Sequence, residues 1–332
     1  MRPFGEIVVP PFEVTHSACE LIKLADLLKG LLGETKAVME CTGSYHVPVA
    51  NALHYAGVFV SPVHSLLIHG FGNNSIRKVK TDKANAVKIA NYAIQNWLDR
   101  ENYVPEENIR KMLKAYSRQY NKYNKIKTFL KNNLISIIDQ SSPEVNKLFT
   151  SPARDEDGHQ KWIDFVQKFW PAECISRLSK SVFFDQYKRW CIRSGYYYRQ
   201  SRADKIYAFL KECSCTIQRN KSTELLVTHT VILLNDISES QTILFKEMHH
   251  IAQTLPEYHV VYNFYCVGDV LAPQIIAKVG DIRCFNKNSL LVCFASLESP
   301  PTSQVLLTEK AKKCLKRVLR ILENHCFKFW TA

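Results

Sequence analysis

The apolar positions of this chain change period near residue 100. Before it, short apolar runs of strand length alternate with stretches whose apolar residues recur every three or four positions. After it, helical spacing dominates. Residues 5–14, GEIVVPPFEV, predict two short strands broken by Pro10 and Pro11, a hairpin at a sheet edge. Residues 16–32 place Leu21, Ile22, Leu24, Leu27, Leu28 and Leu31 along an amphipathic helix that Gly30 and Gly33 loosen and end. Ala37, Val38 and Met39 form a buried strand that delivers Glu40 to its end and stops in the turn Thr42-Gly43. A helix over 47–55, a strand over 58–63 and a helix opened by Thr81 and Asp82 follow, the last carrying Ala84, Ala86, Val87, Ile89 and Ala90 mostly on one side. Strands alternating with helices imply an α/β domain with a largely parallel sheet.

Long helices are expected from residue 101 to 253, with the polar stretch 151–160, SPARDEDGHQ, as a loop linking two helical arms. Within 223–253 the spacing of Leu225, Leu226, Val231, Leu234, Ile237, Ile243, Met248 and Ile251 fits helices of coiled-coil character.

Composition narrows the class. The 332 residues are 46% apolar and 11% aromatic, which excludes a disordered chain. A formal net charge of +13 favours a polyanionic partner, nucleic acid ahead of an anionic membrane surface. No apolar run approaches the roughly 18 residues of a membrane span, and the first residues hold no signal-like core, so a cytoplasmic protein is expected. The 11 cysteines are scattered without a C-x-x-C pair, which fits reduced core thiols rather than disulfides or zinc.

Charge is also clustered. Residues 110–131 hold eight basic side chains and no acid, with Tyr116, Tyr120 and Tyr123 at helical spacing. Lysine and arginine on such a helix neutralise phosphates, and tyrosines either stack on bases or pack on a neighbouring helix. Arg110, Lys111, Lys114, Arg118 and Lys122 are the candidate contacts there. A second stretch, 187–205, interleaves Trp190 and Tyr196 to Tyr198 with six basic residues, among them Arg189, Arg193 and Arg199. A third, 310–320, has six basic residues, including Lys313, Lys316 and Arg317, and no acid. For each, a solvated helix face is the alternative.

Glu40 is the chemically pointed residue of the first hundred. A glutamate is almost never fully buried unless paired or bound to metal, so it is either a functional acid at the lip of a sheet or a solvated strand end. Asp82 and Asn85, three apart, share one helix face. A strand ending in E-x-T-G, an intervening strand, then K-T-D-x-x-D-A opening a helix resembles the N-terminal domain of the DEDD/serine transposases of bacterial insertion sequences, described as bridge-RNA-guided recombinases. The resemblance implies an RNase H-like domain of RuvC type in which four acids hold magnesium. Glu40 takes the second acid position and Asp82 the third. Asn85 stands where the fourth acid is usual, and the first has no counterpart, the expectation being a truncated or decayed copy. Lys80 and Lys83 flank Asp82 as phosphate contacts.

The resemblance continues in 261–285, similar to the family's segment in which a G-x-G turn opens a helix ending in E-x-G-D-x-x-x-F. Gly268, Gly280, Asp281 and Phe285 match, whereas Cys266 and Lys278 depart from it. Backbone N–H groups at such a turn can hold phosphate, which makes Gly268 a candidate. Residues 290–304, LLVCFASLESPPTSQ, resemble the loop carrying the family's catalytic serine, but Gln304 and Val305 fall on its S-G pair and Ser303 lies one residue early. The implied layout is an RNase H-like domain over 1–100, a helical coiled-coil insertion over 101–253 and a small, mainly helical C-terminal transposase domain over 254–332. The implied function is DNA transposition by metal-assisted phosphoryl transfer through a serine–DNA intermediate on Ser303, impaired here by the missing acids. Magnesium held by Glu40, Asp82 and Asn85, DNA, a structured guide RNA and a dimer or tetramer are the implied cofactor and partners. A nucleic-acid-binding protein without catalysis and a RuvC-like junction nuclease that hydrolyses with water remain as alternatives.

Overall fold

The computed structural model describes residues 1–284 apart from 3–4, 42, 72–80, 215, 217–218 and 265–266. These fall into two compact units that divide between Glu106 and Glu107, six residues beyond the boundary expected from the sequence.

The first unit is mainly helical around a small sheet. Helix α1 (Ala18–Lys29) begins where the Ser17 hydroxyl accepts from the Glu20 amide, satisfying one of the donors that a helix start leaves free. Strand β1 (Lys36–Cys41), helix α2 (His46–Tyr55) and strand β2 (Phe59–His64) follow. The two strands pair in parallel from Lys36 opposite Phe59 to Cys41 opposite His64, with α2 as the crossover that parallel pairing requires. Helices α3 (Ser65–Gly70) and α4 (Asp82–Gln95) complete the unit.

Period-2 alternation explains why β1 reads as a continuous apolar run. Ala37 and Met39 join a cluster with Ala25, Ala50, Leu53, Val58 and Val60, under α1 and α2. Val38 points the other way, to Val63, Ile68, Ile89 and Tyr92, under α3 and α4. Both faces are covered, so neither needs polar residues. The segment after α4 returns to β2: the Val60 amide donates to Asn102 Oδ1 (3.1 Å) and the Tyr103 amide donates to the Val60 carbonyl (2.6 Å). Those bonds satisfy backbone groups that β1 does not reach.

Residues 5–14 correct the hairpin expectation, for they hold no strand and leave Ile7 53% exposed. Two adjacent prolines remove two amide donors from a ten-residue stretch, too many for a short ladder to survive.

The second unit is built on two long helices, α5 (Asn108–Ile138) and, after four shorter ones, α10 (Lys221–Gln253). The shorter helices are α6 (Lys161–Phe169), α7 (Ala172–Ser176), α8 (Lys180–Arg193) and α9 (Gln200–Glu212). Buried positions of α5 (Leu113, Ser117, Lys127, Leu134, Ile138) and of α10 (Val227, Val231, Leu234, Ser238, Gln241, Met248, Ala252) recur at threes and fours, the seam expected of a coiled-coil-like pair. Leu113 clusters with Met248 and Ala252 at one end, Leu134 and Ile138 with Val227 and Val231 at the other, so the two run antiparallel. Asn220 and Thr223 start α10 with reciprocal side-chain-to-backbone bonds.

Aromatic packing holds the shorter helices. Phe165 stacks on Phe169 at 4.8 Å between ring centres, and Phe183 stacks on Tyr187 at 5.7 Å. The loop 151–160 is more than a polar connector. Gly158 is buried against α10 at φ +74°, and Arg154 donates to Asp157 and to the Ser194 carbonyl. Past α10 come α11 (Tyr258–Tyr262) and α12 (Leu271–Val279), with Val261, Ala272, Ile275 and Ile276 packed around Leu113 of α5. No described helix is long and apolar enough to cross a membrane.

Candidate functional site

The two candidate acids of the first unit stand at the ends of their elements. Glu40 is the penultimate residue of β1, half-buried, opposite Val63 of β2. Carboxyl ends of parallel strands are where α/β sheets place ligands. Asp82 is the first residue of α4, capped by Thr81, whose hydroxyl accepts from the Ala84 amide at 3.2 Å. An exposed carboxylate there is favoured by the helix dipole. Asn85, one turn on, is also exposed, and α4 packs beside β1.

Two histidines that the sequence reading did not single out share this end. His64 closes β2 opposite Cys41, its Nδ1 accepting from the Leu66 amide. His46 opens α2, and its Nδ1 is buried with no hydrogen-bond partner among the described residues. Their place directly after or before an apolar run was the available signal. Burial, with Glu40 adding a smaller effect, pushes the Cys41 thiol above its ordinary range, so it is a poor nucleophile.

The basic residues of the second unit divide by environment. On α5, Lys111, Lys114, Arg118, Lys122 and Lys125 lie three or four apart along one stripe, the last three exposed. Arg110 does not join them. Its side chain is 5% exposed and donates to Glu257 and Glu107 and to the Gly280 carbonyl. Tyr116 and Tyr120 pack against the cluster around Leu113, which resolves their role in favour of packing.

The 187–205 segment behaves similarly. Tyr187, Trp190, Tyr196 and Tyr198 belong to the aromatic core, whereas Arg189, Arg193 and Arg199 are exposed and Tyr197 is 77% exposed. Gly268 is exposed, and its carbonyl accepts from the Leu271 and Ala272 amides at the opening of α12. Lys83 is exposed in the first turn of α4. Lys80, Ser303, Lys313, Lys316 and Arg317 lie outside the described residues.

Residues 1–143 match the family model of IS110-type DEDD transposases, described as transposase. Over that span the chain is similar to the IS110-type DEDD transposases. No curated protein matches it. That similarity implies an RNase H-like fold, DNA as substrate and a chemistry that ordinarily uses a divalent metal. Among the described residues, the donors at these positions do not fit such a centre. Glu40 and Asp82 offer two carboxylates and Asn85 a neutral amide, and among the described residues no three His, Cys, Asp or Glu side chains converge to hold an ion. Two-metal phosphoryl transfer needs several carboxylates to hold the cations about 4 Å apart and balance their charge.

Proposed function

We propose that this chain is a DNA transposase and recombinase of an insertion sequence whose strand-transfer chemistry is impaired, and whose retained capacity is to hold nucleic acid. The stripe Lys111, Lys114, Arg118, Lys122 and Lys125 carries the reading: five cations on one face of a 31-residue helix, in a stretch of sequence that contains no acid, the last three of them exposed. Helical rise spaces them over about 20 Å, the reach of several phosphates along a backbone. Arg189, Arg193 and Arg199, with Lys83 and the Gly268 turn, extend the set, and Lys80, Lys313, Lys316 and Arg317 add to the basic excess.

Glu40 and Asp82 are the proposed remnant of the acid set, and Ser303 the proposed nucleophile. Its Oγ would attack a DNA phosphorus, expel the adjoining deoxyribose oxygen and be left esterified, its own proton passing to a general base. A structured guide RNA and a dimer or tetramer are the proposed partners. The donor set of two carboxylates and an amide favours a second reading, a nucleic-acid-binding protein without catalysis.

Magnesium calorimetry on the purified chain, paired with a denaturing gel for serine-linked DNA, separates these. Metal binding with an adduct lost in Ser303→Ala supports the recombinase. Cleavage without an adduct points to hydrolysis by water, as in a junction nuclease. Neither signal, with salt-sensitive nucleic-acid binding retained, leaves the binding protein.

A further inference from the structure

A cationic pocket of about 420 Å³ opens in the second unit where α6 and α9 begin. Lys161, Arg199 and Arg202 line it together with Thr150, Ser151 and Tyr197, and no acid does. Each cation is held in place by neutral groups. Lys161 Nζ donates to the Tyr197 carbonyl at 2.7 Å and lies 5.3 Å from the centre of the Tyr187 ring and 5.7 Å from that of Tyr196. Arg202 donates to the Leu148 carbonyl at 2.6 Å and to the Thr150 hydroxyl at 2.9 Å. The Arg199 guanidinium sits over the Tyr197 ring at 5.4 Å.

What the pocket lacks is a counter-ion. Lys161 is 5% exposed, yet no described carboxylate pairs with it, with Arg199 or with Arg202. Asp204, the acid in the first turns of α9, is engaged by Lys180 at 2.8 Å. A buried ammonium held by a carbonyl, ring faces and the Cys191 thiol, without a carboxylate, is costly, and burial holds Lys161 below its usual range although Cys191 opposes that shift. An anion with several acceptor oxygens would meet the ammonium, the guanidinium fork and the two hydroxyls at once. Tyr197, exposed at the rim with the guanidinium on it, offers a platform for a base next to that anion.

We infer that this pocket binds the phosphate of a nucleotide unit, its base stacking on Tyr197. The inference deepens the nucleic-acid reading above, on which its polymeric form rests. The unit could belong to a single strand or be a free nucleotide, and the ligands below tell these apart.

The test uses the full chain with a labelled oligothymidylate of about 12 nucleotides, read by anisotropy, and adenosine 5′-monophosphate, read by calorimetry. The variants are Arg199→Gln, Tyr197→Ala and Lys161→Met, with Lys122→Gln to report separately on the α5 stripe. Lys161→Met removes a buried unpaired charge, so its melting temperature should hold or rise, which separates loss of binding from loss of fold. The expected result is about tenfold weaker oligonucleotide binding in each pocket variant, with the salt slope falling by about one in Arg199→Gln. Strand binding unchanged in all three, but weakened in Lys122→Gln, would overturn the pocket and leave the α5 reading standing. Binding of the monophosphate alone, lost in the pocket variants, would establish a free-nucleotide site and refute the strand reading. Binding of neither ligand would refute both.

Discussion

Arg110 offers the sharpest separation between a structural cation and a phosphate contact. By spacing it belongs to the basic run of α5, but its guanidinium is spent inside the second unit. Nε donates to Glu107 at 3.2 Å, one terminal nitrogen to Glu257 and to the Gly280 carbonyl (3.1 Å), and the other to the second Glu257 oxygen at 3.4 Å. Glu257 is itself only 10% exposed. Arg110→Gln therefore leaves a buried carboxylate without its counter-charge, a change that costs about 3–5 kcal/mol. For a unit of this size that is a fall in melting temperature on the order of 10 °C. Circular dichroism melts of the full chain read it, and amide exchange in α12 should accelerate, since Gly280 ends that helix. The double variant Arg110→Met with Glu257→Leu should recover most of the loss, because replacing a buried pair by apolar groups is near neutral. Arg118→Gln, on the exposed stripe, should leave the melt within about 0.5 kcal/mol of the parent and lower the salt slope of nucleic-acid binding by about one. An unchanged melt in Arg110→Gln together with a lowered salt slope would refute this assignment and return Arg110 to the binding face.

Lys127, buried between α5 and α10 with Gln241 as acceptor at 3.4 Å, has its pKa lowered by burial to about 8. Between pH 8 and the ordinary lysine value the unfolded chain holds the proton that the folded chain has lost, so stability rises with pH there; Lys127→Met should abolish that share of the rise and stabilise the unit at pH 7 by about 2 kcal/mol, measured from urea midpoints. Arg283 holds the carboxyls of Asp281 and Glu107 below their usual range, through bonds of 2.7 and 2.8 Å. Their stabilising effect is present above the ordinary carboxylate pKa and lost as pH falls through the lowered values, below about pH 4, and Asp281→Asn should blunt that acid loss in a pH-dependent melt. Gly158→Ala should destabilise by about 2–3 kcal/mol in the same melts: its φ is +74°, and the added Cβ would lie 2.6 Å from Thr242 Oγ1 and 3.0 Å from the Ser238 carbonyl oxygen. An unaltered melting temperature in that variant would mean that the loop does not rest on α10.

Local information is what the sequence held in full. Ser17 and Thr81 mark helix starts because a side-chain oxygen need only reach an amide three residues on. Ala37-Val38-Met39 reads as a buried strand because both its faces are apolar, and the E-x-T-G and T-D signals set Glu40 at a strand end and Asp82 at a helix start. The lysine and arginine excess, with its clustering on α5, was legible in the same way. Tertiary structure decided everything that depends on a partner distant in the chain. Helical spacing shows that Arg110 and Lys114 lie near one another on α5, but not that Glu257, 147 residues on, claims the first. Tyrosines interleaved with arginines read equally well as base platforms or as core, and only the packing of α6, α8 and α9 assigns Tyr187 and Tyr196 to the core and leaves Tyr197 outside. The cationic pocket was invisible for the same reason, since Thr150, Lys161 and Arg202 share no local motif. Periodicity fixes which side chains share a face, whereas what meets that face depends on how the chain folds back, and that alone determines whether a charge is spent inside the protein or presented to a ligand.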